Sequence, residues 1–266
     1  MTQLTYVTHF YFDGKNEAVL VDLLRKYASY SPAILQKIQF VLVDDASIEK
    51  VEIPADIDLN ILLLRIRENI PWNQPGARNL GLTYARSDKV FVSDLDHDLR
   101  EDTLAYILAM KDPRRTIYKL KRTTVSGEPI GPHPNTFVLS RAHFMKLFGY
   151  DEDFSGHYGF DDAMFWRWQR YHGTRFMYLP SAHRLYVRDL ELTSSHTLER
   201  DLEHNRKVAE EKKMLWKKYG PAAGHSNQGL RFTWDIIEDR QMRIGPPATE
   251  PNKLWVKTWW WRWLWG

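Results

Sequence analysis

Short runs of apolar residues separated by polar ones recur along the first hundred positions, at Leu4–Phe10, Ile38–Val43, Ile61–Leu64 and Lys89–Ser93. Runs of that length bounded by turn residues predict strands, and the stretches between them, Asn16–Tyr30 and Pro75–Arg86, carry the wider apolar spacing of helices. Such alternation implies βαβ units, so the expected fold class is α/β, with a mostly parallel central sheet flanked by helices. After residue 112 the pattern turns irregular and aromatic. Pro129, Gly131, Pro132 and Pro134 mark a long loop ahead of a further strand at Asn135–Ser140. Phe160–His172 predicts a helix opened by acids, whose charge the helix dipole favours at that end. A charged helix is expected over Thr197–Tyr219, where Gly220-Pro221 ends it. The expected organisation is a first half at 1–112, a second half of the same domain at 113–219, and a helical, tryptophan-rich extension at 220–266.

Composition narrows the chemistry. The 266 residues, 43% of them hydrophobic, suffice for a sizeable core. The net charge of +3 is spread over many residues of both signs, and no concentrated basic stripe for phosphates stands out, so a nucleic-acid partner is not expected. Cysteine is absent, which removes disulfides, thiolate nucleophiles and Cys-ligated zinc and leaves carboxylates, imidazoles and hydroxyls. The start of the chain lacks a basic, then apolar, leader, and no stretch reaches the roughly 18 apolar residues of a membrane span. The expectation is a cytoplasmic protein, peripheral on the inner face of a membrane. The peripheral contact is read from the last stretch, where Trp255, Trp259, Trp260, Trp261, Trp263 and Trp265 alternate with Lys253, Lys257 and Arg262. Indoles and cations together favour a headgroup layer; the alternative is a tail folded back onto the protein.

In open parallel sheets ligands bind beyond the carboxyl ends of the strands. Two acidic clusters fall there: Asp44-Asp45 after FVLV, and Asp94, Asp96 and Asp98 after KVFVS. Alternate acids at a strand end repel one another and desolvate badly unless a cation neutralises them. Hard divalent ions take such oxygens, and Mn²⁺ or Mg²⁺ needs only one or two carboxylates when substrate phosphates complete its shell. A solvated acidic turn is the plainer reading of the same residues. Arg78, on the second predicted helix, is a candidate partner for phosphate or for a neighbouring acid.

Taken together, VLVDDAS at Val41–Ser47, ARNLGLTYA at Ala77–Ala85 and KVFVSDLDHD at Lys89–Asp98 resemble the family 2 glycosyltransferases and their GT-A fold relatives. The resemblance implies that Asp44 and Asp45 contact the base or ribose, that Arg78 and Asn79 border the nucleotide site, and that Asp94 and Asp96 are the D-x-D pair. Leu95 is bulky for that motif and His97 intervenes before Asp98, so whether Asp96 or Asp98 meets the metal stays open. Gly149-Tyr-Asp-Glu-Asp-Phe154, then Gly156-His-Tyr-Gly-Phe-Asp161-Asp162, is similar to a signature shared by galactosyltransferase-like and polysaccharide-polymerising members. In those enzymes one carboxylate of the acidic pair is the general base. Asp162 is expected in that role and Asp161 as its acceptor-binding partner, in an order that can reverse; Asp161 replaces the usual Glu. His196 is expected as a third metal ligand, with His183 and His204 as rivals. The first half would bind the nucleotide sugar and the second the acceptor.

The function implied is an inverting glycosyltransferase that moves a sugar from a nucleotide-diphosphate donor, UDP-linked by family habit, to a hydroxyl of a glycan or lipid-linked glycan. The aromatics Tyr150, Phe154, Tyr158, Phe160, Trp166 and Trp168 are candidates for stacking on sugar rings. A nucleotidyltransferase would also use a parallel sheet and a carboxylate-bound metal, but Thr8–Asn16 lacks the glycine-rich, basic loop such enzymes carry. A catalytically inactive carbohydrate- or membrane-binding module on the same fold is the non-enzymatic alternative.

Overall fold

The computed structural model of the chain describes residues 2–14, 17–190 and 198–243. The first half runs β1 (Leu4–Phe10), α1 (Ala18–Ala28), α2 (Pro32–Leu35), β2 (Ile38–Asp44), β3 (Ile61–Ile66), α3 (Gln74–Thr83), β4 (Lys89–Ser93), β5 (His97–Leu99) and α4 (Glu101–Ala109). The second half adds β6 (Thr116–Lys119), β7 (Arg122–Thr123), β8 (Pro129–Ile130), β9 (Phe137–Ser140), α5 (Arg141–Lys146), α6 (Asp161–Tyr171), β10 (Arg175–Tyr178), β11 (Leu185–Val187) and α7 (Glu203–Tyr219). A strand, β12 (Trp234–Arg240), closes the described chain.

Eight strands form one sheet in the order β10-β6-β9-β4-β1-β2-β3-β12, to which both halves contribute. Its centre, β4-β1-β2-β3, is parallel, as the βαβ pattern predicts. Every residue of β2 is buried, which is why it reads as a nearly continuous apolar run, interrupted only by Gln39 before the closing Asp44, rather than an alternation. Toward the edges the sheet is mixed: β9 runs antiparallel to both β4 and β6, and β12 returns antiparallel along β3. In the described part of the 220–266 extension, the secondary structure is this edge strand and a short 3-10 turn at Pro221–Gly224, not an α-helix. The tryptophan-rich stretch lies outside the described residues.

Helices cover both faces. On α1, Leu20, Leu23, Leu24 and Tyr27 repeat at helical spacing and bury against β1 and β2. On the other face α3 is buried at every position from Pro75 to Leu82. Gly81 makes that possible, since a Cβ there would lie 2.4 Å from Val7 Cγ1. Gly81→Ala should therefore destabilise the fold by about 1–3 kcal/mol through overpacking, despite the gain of up to ~1 kcal/mol that alanine brings to a helix interior. Urea unfolding checks the sign.

A second, four-stranded sheet, β5-β11-β7-β8, stands beyond the carboxyl end of β4. Its strands are two or three residues long, too short to leave a periodic signal. It folds the chain after Asp94 back across the mouth of the main sheet and so builds one wall of a cleft.

Candidate active site at the carboxyl ends of the central strands

Parallel register brings Phe10, Asp44 and the end of β4 to one edge of the sheet. A cleft of about 1080 Å³ opens there, with Asp45, Asp94 and Asp96 in its wall together with His9, Trp72 and Tyr186. Each of the three acids ends or follows a buried strand, so the packing of β2 and β4 fixes where its side chain starts.

The predicted acids separate into those that face the cleft and those consumed by the fold. Asp44 is almost wholly buried; one oxygen accepts from the Ser47 N–H at 2.8 Å and the other pairs with Arg65 at 2.5 Å. It closes the turn, and of the two only Asp45 lines the cleft. Asp98 lines the cleft as well, with one carboxylate oxygen 2.6 Å from Lys26 Nζ and the other without a hydrogen-bond partner. Asp96 exposes half its side chain, with one oxygen 2.5 Å from His97 Nδ1. Asp96 is thus the more open, and Asp98 the already paired, of the two acids that could join Asp94 at a cation. Asn79 is also structural: it donates to the Tyr150 carbonyl at 2.9 Å and to Glu152 at 2.8 Å, and accepts from the Tyr150 N–H at 2.8 Å. It splices α3 to the Gly149–Phe154 turn and does not line the cleft.

Arg78 joins the two acidic motifs. Its guanidinium is fully buried and donates to Asp94 at 2.9 Å, while Nη1 lies 3.8 Å from Asp161 Oδ2 and the group sits 5.3 Å from the centre of the Tyr150 ring. Nε and Nη1 have no hydrogen-bond partner within the protein, nor has Asp161 Oδ2. Burial lifts the Asp161 carboxyl to about 6, against the pull of Arg78 and with a further push from Asp162. Burial also raises Asp94, but Arg78, His9 and His133 outweigh it and leave that carboxyl below its usual range. Asp162 is more open: one oxygen accepts from the Ala163 N–H at 2.6 Å at the start of α6.

Histidines near Asp94 have little sequence signal. His133 Nδ1, in the proline-rich loop, lies 3.6 Å from Asp94 Oδ2, and its ring packs 4.7 Å from that of His97. His9 ends β1 in the cleft wall, its imidazole lowered to about 4 by burial and by Arg78, with Asp94 opposing. His183 stacks on Tyr106 and His204 on His157, and neither lines the cleft. His196 lies outside the described residues. Among the described residues no group of three or more His, Cys, Asp or Glu is arranged to hold a metal ion by itself. A site built on Asp94 and Asp96 therefore suits a cation that takes the rest of its shell from phosphate and water.

Most of the aromatics expected to stack on sugars are core. Tyr150 stacks on Phe165 at 4.1 Å, Phe154 joins a small cluster with Met164 and Ala209, and Trp168 donates to the Leu147 carbonyl. Tyr158 packs 4.6 Å from Trp72, a cleft residue whose backbone is left-handed at φ +53°. Among the described residues no helix is long and apolar enough to cross a membrane.

No family model matches the sequence, and no curated protein matches it. Solved structures do. Residues 1–349 of S. aureus TarS in complex with UDP-GlcNAc superpose with a TM-score of 0.61 at 16% identity, over 84% of this chain and 69% of that one. The fold is GT-A. The mannosyltransferase PcManGT from Pyrobaculum calidifontis, in complex with GDP-Man and Mn²⁺, gives 0.52 at 18% identity over 80% and 62% of the two chains. GalNAc-T7 with UDP, GalNAc and Mn²⁺ gives 0.53 at 13% over 82% and 50%. In this GT-A chain the cleft opens at the carboxyl ends of β1, β2 and β4, where an α/β sheet receives its ligand.

Asp45 carries a testable cost. Burial pushes its carboxyl up to about 7, against the help of Asn73 and with Asp44 adding to the rise. A carboxyl raised on folding holds its proton more tightly in the native state, so its contribution to stability is greatest at low pH and is lost as pH rises through 7. Asp45→Asn should thus raise the urea midpoint at pH 8 more than at pH 5. A gain independent of pH would show that burial of the charge is not the cause.

Proposed function

We propose that the chain is an inverting glycosyltransferase that moves a sugar from a nucleotide-diphosphate sugar, UDP-linked, to a hydroxyl of a glycan or glycolipid. One observation carries this reading: Arg78, fully buried, links Asp94 at the end of β4 to Asp161 at the start of α6, so the acids of the donor side and the acceptor side share one cation. The GT-A neighbours, solved in complex with UDP-GlcNAc, with GDP-Man, and with UDP and GalNAc, support a nucleotide-sugar donor.

Asp94 and Asp96 would hold Mn²⁺ or Mg²⁺, and a nitrogen at His133 favours Mn²⁺. When bound, such an ion supplies Lewis acidity toward the departing diphosphate. The residues of the chain do the rest. Asp45 accepts from the nucleoside. Arg78 holds Asp94 in place and adds positive charge beside the diphosphate. Asp162 takes the proton of the acceptor hydroxyl as its oxygen bonds to the anomeric carbon, and the pair of electrons in the breaking carbon–oxygen bond leaves with the nucleoside diphosphate. A carboxylate in that position contributes ~10²–10⁴-fold. Asp162 suits the task better than Asp161 because Asp161 Oδ2 is enclosed beside Arg78. The tryptophan-rich tail, by its composition, would contact a membrane surface and bring the site to a lipid-linked acceptor.

A thermal-shift series with UDP, GDP, UDP-GlcNAc and GDP-mannose, with and without Mn²⁺, tests the donor assignment. A nucleotide at 100 times its dissociation constant stabilises by about 2.7 kcal/mol. The absence of any manganese-dependent shift with all four would end the transferase reading. Product analysis separates it from a nucleotidyltransferase, which releases pyrophosphate.

A further inference from the structure

The acidic pair is reached by an unusual stretch of backbone. Gly156, Gly159 and Phe160 all take left-handed conformations, at φ +97°, +85° and +66°. Phe160, an L-residue with a large side chain, immediately precedes Asp161 in that state, which local preference disfavours and surrounding structure must enforce. Among the described residues, the backbone hydrogen bonds of 155–160 are those of the Ser155 N–H to the Glu152 carbonyl at 3.1 Å, the Gly156 N–H to the Pro71 carbonyl at 2.8 Å and the Met164 N–H to the Phe160 carbonyl at the start of α6, and none of them spans Gly156 to Gly159.

The grip comes from α7. Asn205, fully buried, directs its side-chain Nδ2 at three carbonyls of this one turn: Phe154 at 3.0 Å, His157 at 2.8 Å and Gly159 at 2.9 Å. An amide has two N–H groups, so the three acceptors share them. Leu202, just before α7, fills the space where a Gly159 side chain would stand, since a Cβ there would lie 2.5 Å from Leu202 Cδ2. His204 stacks on His157 with ring centres 3.6 Å apart. Two turns further along α7, Lys212 binds Asp151 at 2.7 Å and Asp153 at 2.6 Å and anchors the turn at its other end.

We propose that Asn205 is a positioning residue of the acidic pair: its side-chain amide, with Leu202 packed over Gly159, sets the path of residues 154–160 and so aims Asp162 at the acceptor. This rests on the transferase reading for its catalytic consequence, but not for the grip itself. The bonds run to the turn and not to the helix's own backbone, so their loss alters the aim of the carboxylate more than the stability of α7. A displacement of about 1 Å at a reacting group costs up to ~10²-fold in rate.

The test uses the full chain with Asn205→Ala and Asn205→Asp, and Leu202→Ala as a milder variant that leaves the buried amide intact should the first two fail to fold. Hydrogen exchange across 154–162 should speed up in each variant, while exchange in β1, β2 and β4 stays as in the wild type. With UDP-GlcNAc and Mn²⁺ as the probe, release of UDP should fall in kcat by about tenfold or more with KM within about twofold, and Asn205→Ala should cost little further in an Asp162→Asn background. Unchanged exchange in the turn, a rise in KM with kcat held, or losses that multiply with Asp162→Asn would each overturn the assignment. If the wild-type chain neither binds nor cleaves UDP-GlcNAc, the donor reading fails separately, and exchange across 154–162 still decides whether Asn205 holds the turn.

Discussion

Asparagine in place of Asp162 should lower turnover by at least ~10²-fold and leave the manganese-dependent thermal shift with UDP nearly unchanged. The amide keeps the size of the side chain and can still accept from the Ala163 N–H at the start of α6, so the fold has no reason to respond. What is lost is the basicity that receives the acceptor proton, a property used only as the new bond forms, which places the loss in kcat. Asp161→Asn should behave differently. Its carboxylate neighbours Arg78, and neutralising it removes one of the two charges that balance that guanidinium, so its effect should extend to donor affinity and stability. If Asp161→Asn proves the purer kcat defect of the two, the roles exchange and Asp161, already lifted to about 6 by burial, is the base.

The contrast between the two aspartates shows what the linear sequence carries and what it omits. The central strands are legible because a parallel strand covered on both faces is apolar along most of its length, as β2 is apart from Gln39 and its terminal Asp44, and their carboxyl ends then locate the acids without further help. The mixed edges are not legible. β12 contains Asp235, Glu238 and Asp239 and only a partly buried face, so it resembles a polar linker until β3 gives it a partner. Nor does spacing reveal which acid faces the ligand. Asp44 is withdrawn by Arg65 and Asp98 is paired with Lys26, cations from other elements that only the folded topology brings near. The same holds for Asn79, whose three bonds go to a turn some seventy positions away. His133 comes beside Asp94 because the proline-rich loop carries it there, and one histidine among ten has no periodicity to mark it.

Arg78→Met should be the most damaging substitution for the fold, at about 3–5 kcal/mol, the usual cost of removing one partner from a buried charge cluster. At this chain length that corresponds to a fall in melting temperature of roughly 6–20 °C. Methionine restores most of the volume but none of the charge, leaving Asp94 and Asp161 to face each other across an apolar side chain. The penalty should be pH-dependent in a definite direction. With Arg78 present, Asp161 is held at about 6; without it, only the backbone N–H groups of Asp161 and Asp162 oppose the desolvation, and the carboxyl must rise further. A carboxyl with a raised native value binds its proton more tightly when folded, so the variant should recover part of its stability as pH falls from 8 to 5 and lose it again as pH rises. Adding Asp161→Asn to Arg78→Met should restore part of the same loss at pH 8, because the charge left unpaired is then gone. A penalty equal at both pH values, and unaffected by the second substitution, would mean that Arg78 acts through its packing against Tyr150 and not as the shared counter-ion of the two acidic motifs.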